Sequence, residues 1–386
     1  MSNHKGKPQY QVIIDFIQAK IDSGELKTGD RIYTENELIK TFNVSRITVT
    51  RALKELEHKG IVYRVRGRGS FIGQQKASQV LRPAAQIPVH PMKIMSVVLP
   101  FDQQTGSGIL QGIEMECRDR GVFLSFHNSW NGAKTEREIL LRIRHENVHG
   151  IVLYPVAGNA NLDIISEIIV SRMPFAFVER YVEGLKASSV VPRNRKGMFE
   201  IVSHLIQGNH ERIAFVTSPI RDVVSIQERF QGYCQALLDA GLALNNDWIV
   251  EDFESMPHVD HSHMQTARKV IAKLMSLPKR PTALVAVNDM TAVNLMKAAI
   301  EYGIDVPKQL SITGFDNLPI CQHIEVPLST VDMPFLEMGR EAARIVLERM
   351  EGGGAEAQRV EFDTTVVLRD STAAPYLDAM PLAGRR

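Results

Sequence analysis

From Lys93 onward the chain repeats one pattern: a short run that is apolar on both faces, a turn, then an amphipathic helix. KIMSVVLPF, VFLSFHN, GIVLYPV and PFAFVER alternate with GILQGIEMECRDRG, TEREILLRIRHE and LDIISEIIVSR. RIAFVTS, TALVAVN and LSITGFD continue the strand series, with SIQERFQGYCQALLDAG and DMTAVNLMKAAIEYG as helices. A strand that is apolar on both faces must be covered on both. Parallel sheets meet that need, because each crossover lays a helix on one face. The pattern therefore predicts an α/β fold, and a chain of 386 residues leaves room for two such sheets in a bilobed body. In that architecture ligands sit beyond the C-terminal ends of the strands.

The first part of the chain breaks the pattern. Residues 1–73 read as three helices and a short hairpin. Residues 74–92 are rich in Gln, Ala and Pro with no sustained period, which is linker composition. Residues 93–386 form the α/β body. Charge divides along the same line: residues 1–92 carry 15 Lys+Arg against 8 Asp+Glu, and the rest carry 30 against 36. A basic head on an acidic body predicts that the head alone meets a polyanion.

Composition excludes several classes. The chain is 44% hydrophobic and 23% charged, an ordinary globular balance. No apolar run reaches the roughly eighteen residues a membrane helix needs, and the N-terminus lacks the apolar core of a secretion signal, so a cytoplasmic protein with no membrane partner is expected. Cys117, Cys234 and Cys321 lie far apart without metal or redox spacing and read as small buried hydrophobes. His258, Asp260, His261 and His263 in PHVDHSH match no strong metal motif and read as a surface loop before a helix. No metal and no cofactor are expected. Nor is enzyme activity: the sequence has no phosphate loop, nucleophile elbow, HExxH helix or acid/base pair.

In the head, TENELIKTF opens with Thr34 and has Glu37 three residues on, a capping box that starts a helix. Asn43 tolerates a left-handed turn and Ser45 caps the next helix, so the two form a helix-turn-helix. On that second helix Val49, Ala52, Leu53 and Leu56 make the buried stripe. Ser45, Arg46, Ile47, Thr48, Thr50 and Arg51 lie at its tip and outer faces. That face is either simply solvated or it reads DNA, where arginine suits guanine, Ser and Thr reach bases or phosphates, and Ile47 suits a thymine methyl. The segment after the helix decides between them. GIVYRVRGRGSFIG reads as two strands around Arg66, Gly67, Arg68 and Gly69, a basic wing suited to a narrow minor groove.

With those residues in view, residues 10–73 resemble the winged-helix domain of GntR-type regulators. The resemblance implies DNA contacts from Ser45, Arg46 and Thr48 and a minor-groove approach at Gly69. Glu35 occupies a helix position that lies near phosphate in relatives, but as an acid it reads as a cap or an arginine partner. Where the family usually reads Thr-Val-Arg, this chain reads Thr48-Val49-Thr50, with Arg51 next.

In the body, Asp102 and Gln103 follow the first strand, Arg229 lies early in a helix, Asn288 and Asp289 follow TALVAVN, and Asp316 follows SITGF. Fixed carboxylate, amide and guanidinium groups suit vicinal hydroxyls. Bland readings stand beside this: Asp289 as a helix cap, Asp316 as a turn residue, Glu179-Arg180 as an internal ion pair, and Trp130 and Trp248 as packing rather than sugar-stacking residues. Residues 93–370 resemble the effector domain of LacI/GalR-type repressors, through ERFQGYCQALLDAGL, PTALVAVNDMTAVNLMKAAIEYGIDVPKQLSITGFDN and VPLSTVDMPFLEMGREAARIVLERM. The resemblance implies ligand contacts from Arg229, Asn288 and Asp316, with Gly232 and Gly314 as structural glycines. Where many relatives have Asp-Arg and then Asp-Asn, this chain has Glu179-Arg180 and Arg193-Asn194.

The two resemblances imply a bacterial transcription regulator, expected to be a repressor. It would bind a palindromic operator as a homodimer and be released by a monosaccharide, a pentose favoured. The alternatives are a nucleoside or purine effector, an activator, and a fused sugar-processing enzyme.

Overall fold

The computed structural model describes residues 8–65, 69–73, 92–100, 106–156, 160–251, 253, 262–354 and 356–375. The chain falls into two units, Met1–His90 and Pro91–Arg386.

The first unit contains helices α1 (Gln9–Asp22), α2 (Glu35–Phe42) and α3 (Arg46–His58), then strands β1 (Val62–Val65) and β2 (Gly69–Ile72). The capping box forms as the sequence requires, with Thr34 accepting from the Glu37 amide and the Glu37 carboxylate accepting from the Thr34 amide. That backbone hydrogen bond holds the Glu37 carboxyl below its ordinary pKa. Asn43 turns the chain at φ 50° and ψ 51°, and Ser45 then caps α3. Val49, Ala52, Leu53 and Leu56 of α3 bury against Ile13, Ile14 and Ile17 of α1 and Leu38 of α2. Each Val, Ile or Leu so buried contributes about 1.5–3 kcal/mol. The antiparallel hairpin pairs Val62 with Ile72 and Val65 with Gly69, and Arg31 bridges to Phe71 beside it.

The second unit begins with β3 (Ile94–Leu99), α4 (Ser107–Asp119), β4 (Phe123–Asn128), α5 (Ala133–His145), β5 (Gly150–Leu153), α6 (Leu162–Val170), β6 (Phe175–Val178) and β7 (Ser188–Pro192). It continues with α7 (Asn194–Gln207), β8 (Ile213–Val216), α8 (Val224–Asp239), β9 (Ile249–Val250), α9 (Ser262–Ser276), β10 (Ala283–Ala286), α10 (Asp289–Glu301), β11 (Ser311–Thr313) and β12 (Thr330–Asp332). The chain then returns through α11 (Phe335–Met350), β13 (Arg359–Phe362) and β14 (Thr365–Val367).

Two parallel sheets result. The first runs β4-β3-β5-β6-β7-β13 and the second β9-β8-β10-β11. Every residue of β5, β6, β7, β8 and β10 is buried, because helices cover both faces. The doubly wound order puts a switch point between β3 and β5 in one lobe and between β8 and β10 in the other, where a crevice opens at the strand ends.

The chain passes between lobes three times among the described residues: from β7 into α7, from β12 into α11, and from β13 into β14. Helix α11 lies against α4 of the first lobe at backbone distance. A Cβ on Gly339 would stand 2.1 Å from the Ile109 carbonyl oxygen, and one on Gly112 would stand 2.1 Å from that of Leu336. The strands predicted from apolar runs are all present, shortened at their ends. Strands β7, β12, β13 and β14 and helices α7 and α9 did not stand out in the sequence.

Candidate functional site

The outer face of α3 carries the head's candidate contacts. Ile47 is 82% exposed, and the Arg46 side chain is 79% exposed. Thr48 and Thr50 are half-buried on the flanks. The Ser45 and Thr48 hydroxyls lie 2.9 Å apart, and Ser45 Oγ also accepts from the Thr48 amide, so these two groups are tied to each other at the helix tip. The Arg51 guanidinium stands 4.1 Å over the Tyr10 ring of α1, a cation–π contact that holds it outside the core.

Gly69 closes the wing at φ 109°, and a Cβ there would come within 2.9 Å of Arg31 Nε. The wing base therefore admits only glycine without displacing Arg31. Arg66 and Arg68 lie outside the described residues. Sequence reading missed Arg31 and Arg64, whose positions beside the wing depend on tertiary pairing. Glu35 is confirmed as an arginine partner: it accepts from Arg46 Nε at 3.2 Å and pairs with Arg64.

Among the body's described candidates, Arg229 and Asp316 come together. Arg229, near the start of α8 and 5% exposed, is the centre. Its Nε donates to Asn194 Oδ1 at 2.9 Å and one terminal nitrogen donates to the Val287 carbonyl at 2.7 Å. The other lies 3.4 Å from Asp316 of the second lobe and 3.5 Å from Glu179 of the first. The guanidinium carbon stands 3.9 Å over the Phe315 ring. Glu179 follows β6, so a single guanidinium draws acids from both lobes together.

Glu179 and Asp316 share a backbone peculiarity. Their φ values are +64° and +119°, a region non-glycine residues seldom enter and one that costs on the order of 1–3 kcal/mol when strained. Burial pushes the Asp316 carboxyl well above its ordinary pKa, while Arg229 pulls it down. Glu179 Oε2 lies 3.1 Å from Arg180 Nε, yet neither atom is placed to make a hydrogen bond. Between these two atoms the attraction is one of charge. Thr217 Oγ1, at the end of β8, is also buried without a hydrogen-bond partner among the described residues. Buried polar atoms in this condition are rare and need a partner.

The bland readings divide. Glu179 and Arg180 are an internal pair, but Glu179 also reaches Arg229. The helix cap is Asn288, whose Oδ1 accepts from the Thr291 amide at 2.9 Å. Asp289 is no cap. Its buried carboxylate accepts from the Leu318 amide at 2.7 Å and from the Thr330 hydroxyl, and a Cβ at Gly314 would stand 2.2 Å from its Oδ1. Trp248 is buried and donates to the Lys279 carbonyl at 2.9 Å, a packing role. Trp130 is 48% exposed. Asp102, Gln103, His258, Asp260 and His261 lie outside the described residues. Two residues were missed at the cleft: Phe315, one position before Asp316, and Tyr154, directly after β5, whose ring lies 5.0 Å beneath Arg180.

Comparison with known proteins agrees with both halves. Residues 9–72 match the model of bacterial regulatory proteins, gntR family, and residues 202–372 match the periplasmic binding protein-like domain. The chain is similar to the arabinose metabolism transcriptional repressor of Geobacillus stearothermophilus, 28% identical over 377 residues, covering 95% of this chain and 98% of the relative. It is also similar to the ribose operon repressor of Haemophilus influenzae, 27% identical over 263 residues, 68% of this chain and 76% of the relative.

The chain is a transcriptional repressor of this two-part type.

Its fold is shared with the transcription regulator CcpA of Lactococcus lactis, at TM-score 0.65 and 23% identity over 73% of this chain and 99% of that one. The repressor's partners are DNA, met by the gntR-type head, and a small-molecule effector, met by the body. The relatives it matches are transcriptional repressors. No described helix is long and apolar enough to cross a membrane.

Proposed function

We propose that the repressor works in the cytoplasm as a homodimer on a palindromic operator and is released by a monosaccharide, with a pentose favoured. Residues 1–73 form the DNA head, 74–92 the linker and 93–386 the sensor. Ser45, Arg46, Ile47, Thr48, Thr50, Arg51, Arg66, Arg68 and Gly69 make the DNA contacts. Asp102, Gln103, Arg229, Asn288 and Asp316 hold the effector. The arabinose and ribose repressors among its relatives support a sugar.

The observation that carries the reading is the Glu179–Arg229–Asp316 cluster. It sets donors and acceptors from two lobes around one guanidinium, with Glu179 just past β6 and Asp316 just past β11, each one strand over from its lobe's switch point. Vicinal hydroxyls match such groups, because one hydroxyl can donate to a carboxylate while its neighbour accepts from arginine. A ligand that bridges the lobes stabilises one lobe angle over others, and the three chain crossings transmit that angle. DNA affinity falls if the favoured angle spaces the heads wrongly for two half-sites.

A thermal-shift screen against pentoses, hexoses, phosphosugars and nucleosides tests the effector. A ligand that binds the native state raises the melting temperature, and the pentose arm should give the largest rise. A gel shift with the hit should show operator release. Tighter DNA binding with sugar would sink the release mechanism, and a response only to nucleosides would sink the sugar.

A further inference from the structure

Glu35 places an acid on the side of the head that carries Arg46 and Arg64. One carboxylate oxygen accepts from Arg46 Nε at 3.2 Å, and the other pairs with Arg64. The three groups belong to three elements: Glu35 opens α2, Arg46 opens α3, and Arg64 lies on strand β1 of the wing hairpin.

The fold makes little use of this acid. Helix α2 is already capped by Thr34 and Glu37, and its buried residue is Leu38. Both arginines are half or more exposed, at 79% and 50% of their side chains, and ion pairs at such sites contribute little to stability. Against a polyanion the carboxylate is a handicap, since it cancels one positive charge and repels phosphate.

Its benefit is geometric. By taking Nε, Glu35 fixes the plane of the Arg46 guanidinium. The terminal nitrogens remain unengaged by any described residue, and they are the edge that pairs with guanine O6 and N7. Through Arg64 the same carboxylate references that plane to the wing. We propose that Glu35 is a positioning residue for base reading: it orients Arg46 for one guanine and locks the recognition helix to the wing, gaining sequence discrimination at the expense of non-specific affinity. The proposal rests on the DNA-reading role assigned to Arg46.

The test uses the full-length protein and Glu35→Gln. Base preference is measured by selection from a randomised duplex library, non-specific affinity by titration with sequence-random duplex across salt, and folding by thermal melting. The variant should bind random duplex more tightly, with a salt slope steeper by about one. Its preference for guanine at one position should fall by about tenfold, with the melting temperature unchanged. Adding Glu35→Gln to Arg46→Ala should change nothing further at that position, and Arg64→Ala should lower the preference part-way. If the wild type enriches a motif and Glu35→Gln enriches the same motif equally strongly, the positioning role is wrong and the DNA reading stands. Equal weakening on all DNA with a lowered melting temperature would make Glu35 merely structural. If the wild type enriches no motif, both readings fall.

Discussion

The repressor contains two clusters of the same chemistry in opposite surroundings. In the head, a half-buried Glu35 joins the exposed Arg46 and Arg64. In the body, Arg229 joins Glu179 and Asp316, all three nearly sealed from solvent. Exposed pairs of this kind contribute about 0–1 kcal/mol, because water and salt screen them and long side chains lose freedom. A sealed pair does little for net stability while intact, but removing one partner strands a charge and costs about 3–5 kcal/mol. The difference suits the two tasks. An open cluster can exchange water for phosphate and base edges cheaply. A sealed one stays put until a ligand replaces its contacts, and so it can report on that ligand.

The sharpest way to break this comparison is Arg229→Ala. It should lower the stability of the body by about 3–5 kcal/mol in urea unfolding and remove the effector response. A loss below about 1 kcal/mol would mean the cluster is effectively hydrated. Arg46→Ala, its counterpart in the head, should cost about 1–3 kcal/mol of operator binding by gel shift with base preference relaxed. The melting temperature should move little, since the stability change stays within about 0.5 kcal/mol. Asp316→Asn should leave DNA binding intact and abolish release by the effector.

A pH series sharpens the same contrast. Burial holds the Asp316 pKa above that of an ordinary aspartate. An ionised carboxylate accepts ligand hydroxyls more strongly than a protonated one. Effector affinity measured by titration calorimetry should therefore be full above the folded pKa. It should fall as pH drops through that value, with the fall starting at a higher pH than free aspartate would give. Stability from this group runs the other way. The folded chain holds a proton that the unfolded chain has already released, so its contribution is greatest at low pH and is lost as pH rises through the folded pKa. The smallest effect belongs to Arg64→Ala, expected to change stability by about 0–1 kcal/mol in thermal melts.

Local signals carried the head and much of the body. The Thr34–Glu37 box, the Asn43 turn and the Val49–Leu56 stripe are written within a few residues of where they act. The double-sided apolar runs of β5, β6, β8 and β10 were legible for the same reason. Strand β13 was not: RVEF alternates in exposure and forms because β7 offers it a partner 170 positions away, Arg359 pairing with Ser189. Asn288 rather than Asp289 caps α10 because a cap depends on backbone angles at one residue, while the burial of Asp289 depends on Thr330 and Leu318, far along the chain. Glu179 was visible as a departure from the usual Asp-Arg, but its reach to Arg229 exists only once two lobes meet.

The late return of α11 and β13 to the first lobe has a consequence for how this protein can be damaged. The two lobes are not consecutive beads on a string. A premature stop just after β12 would leave the second lobe short of β14 but would strip the earlier-made lobe of its edge strand and of the helix seated against Gly112. On the ribosome, that first lobe stays unfinished until the codons for β13 have been read.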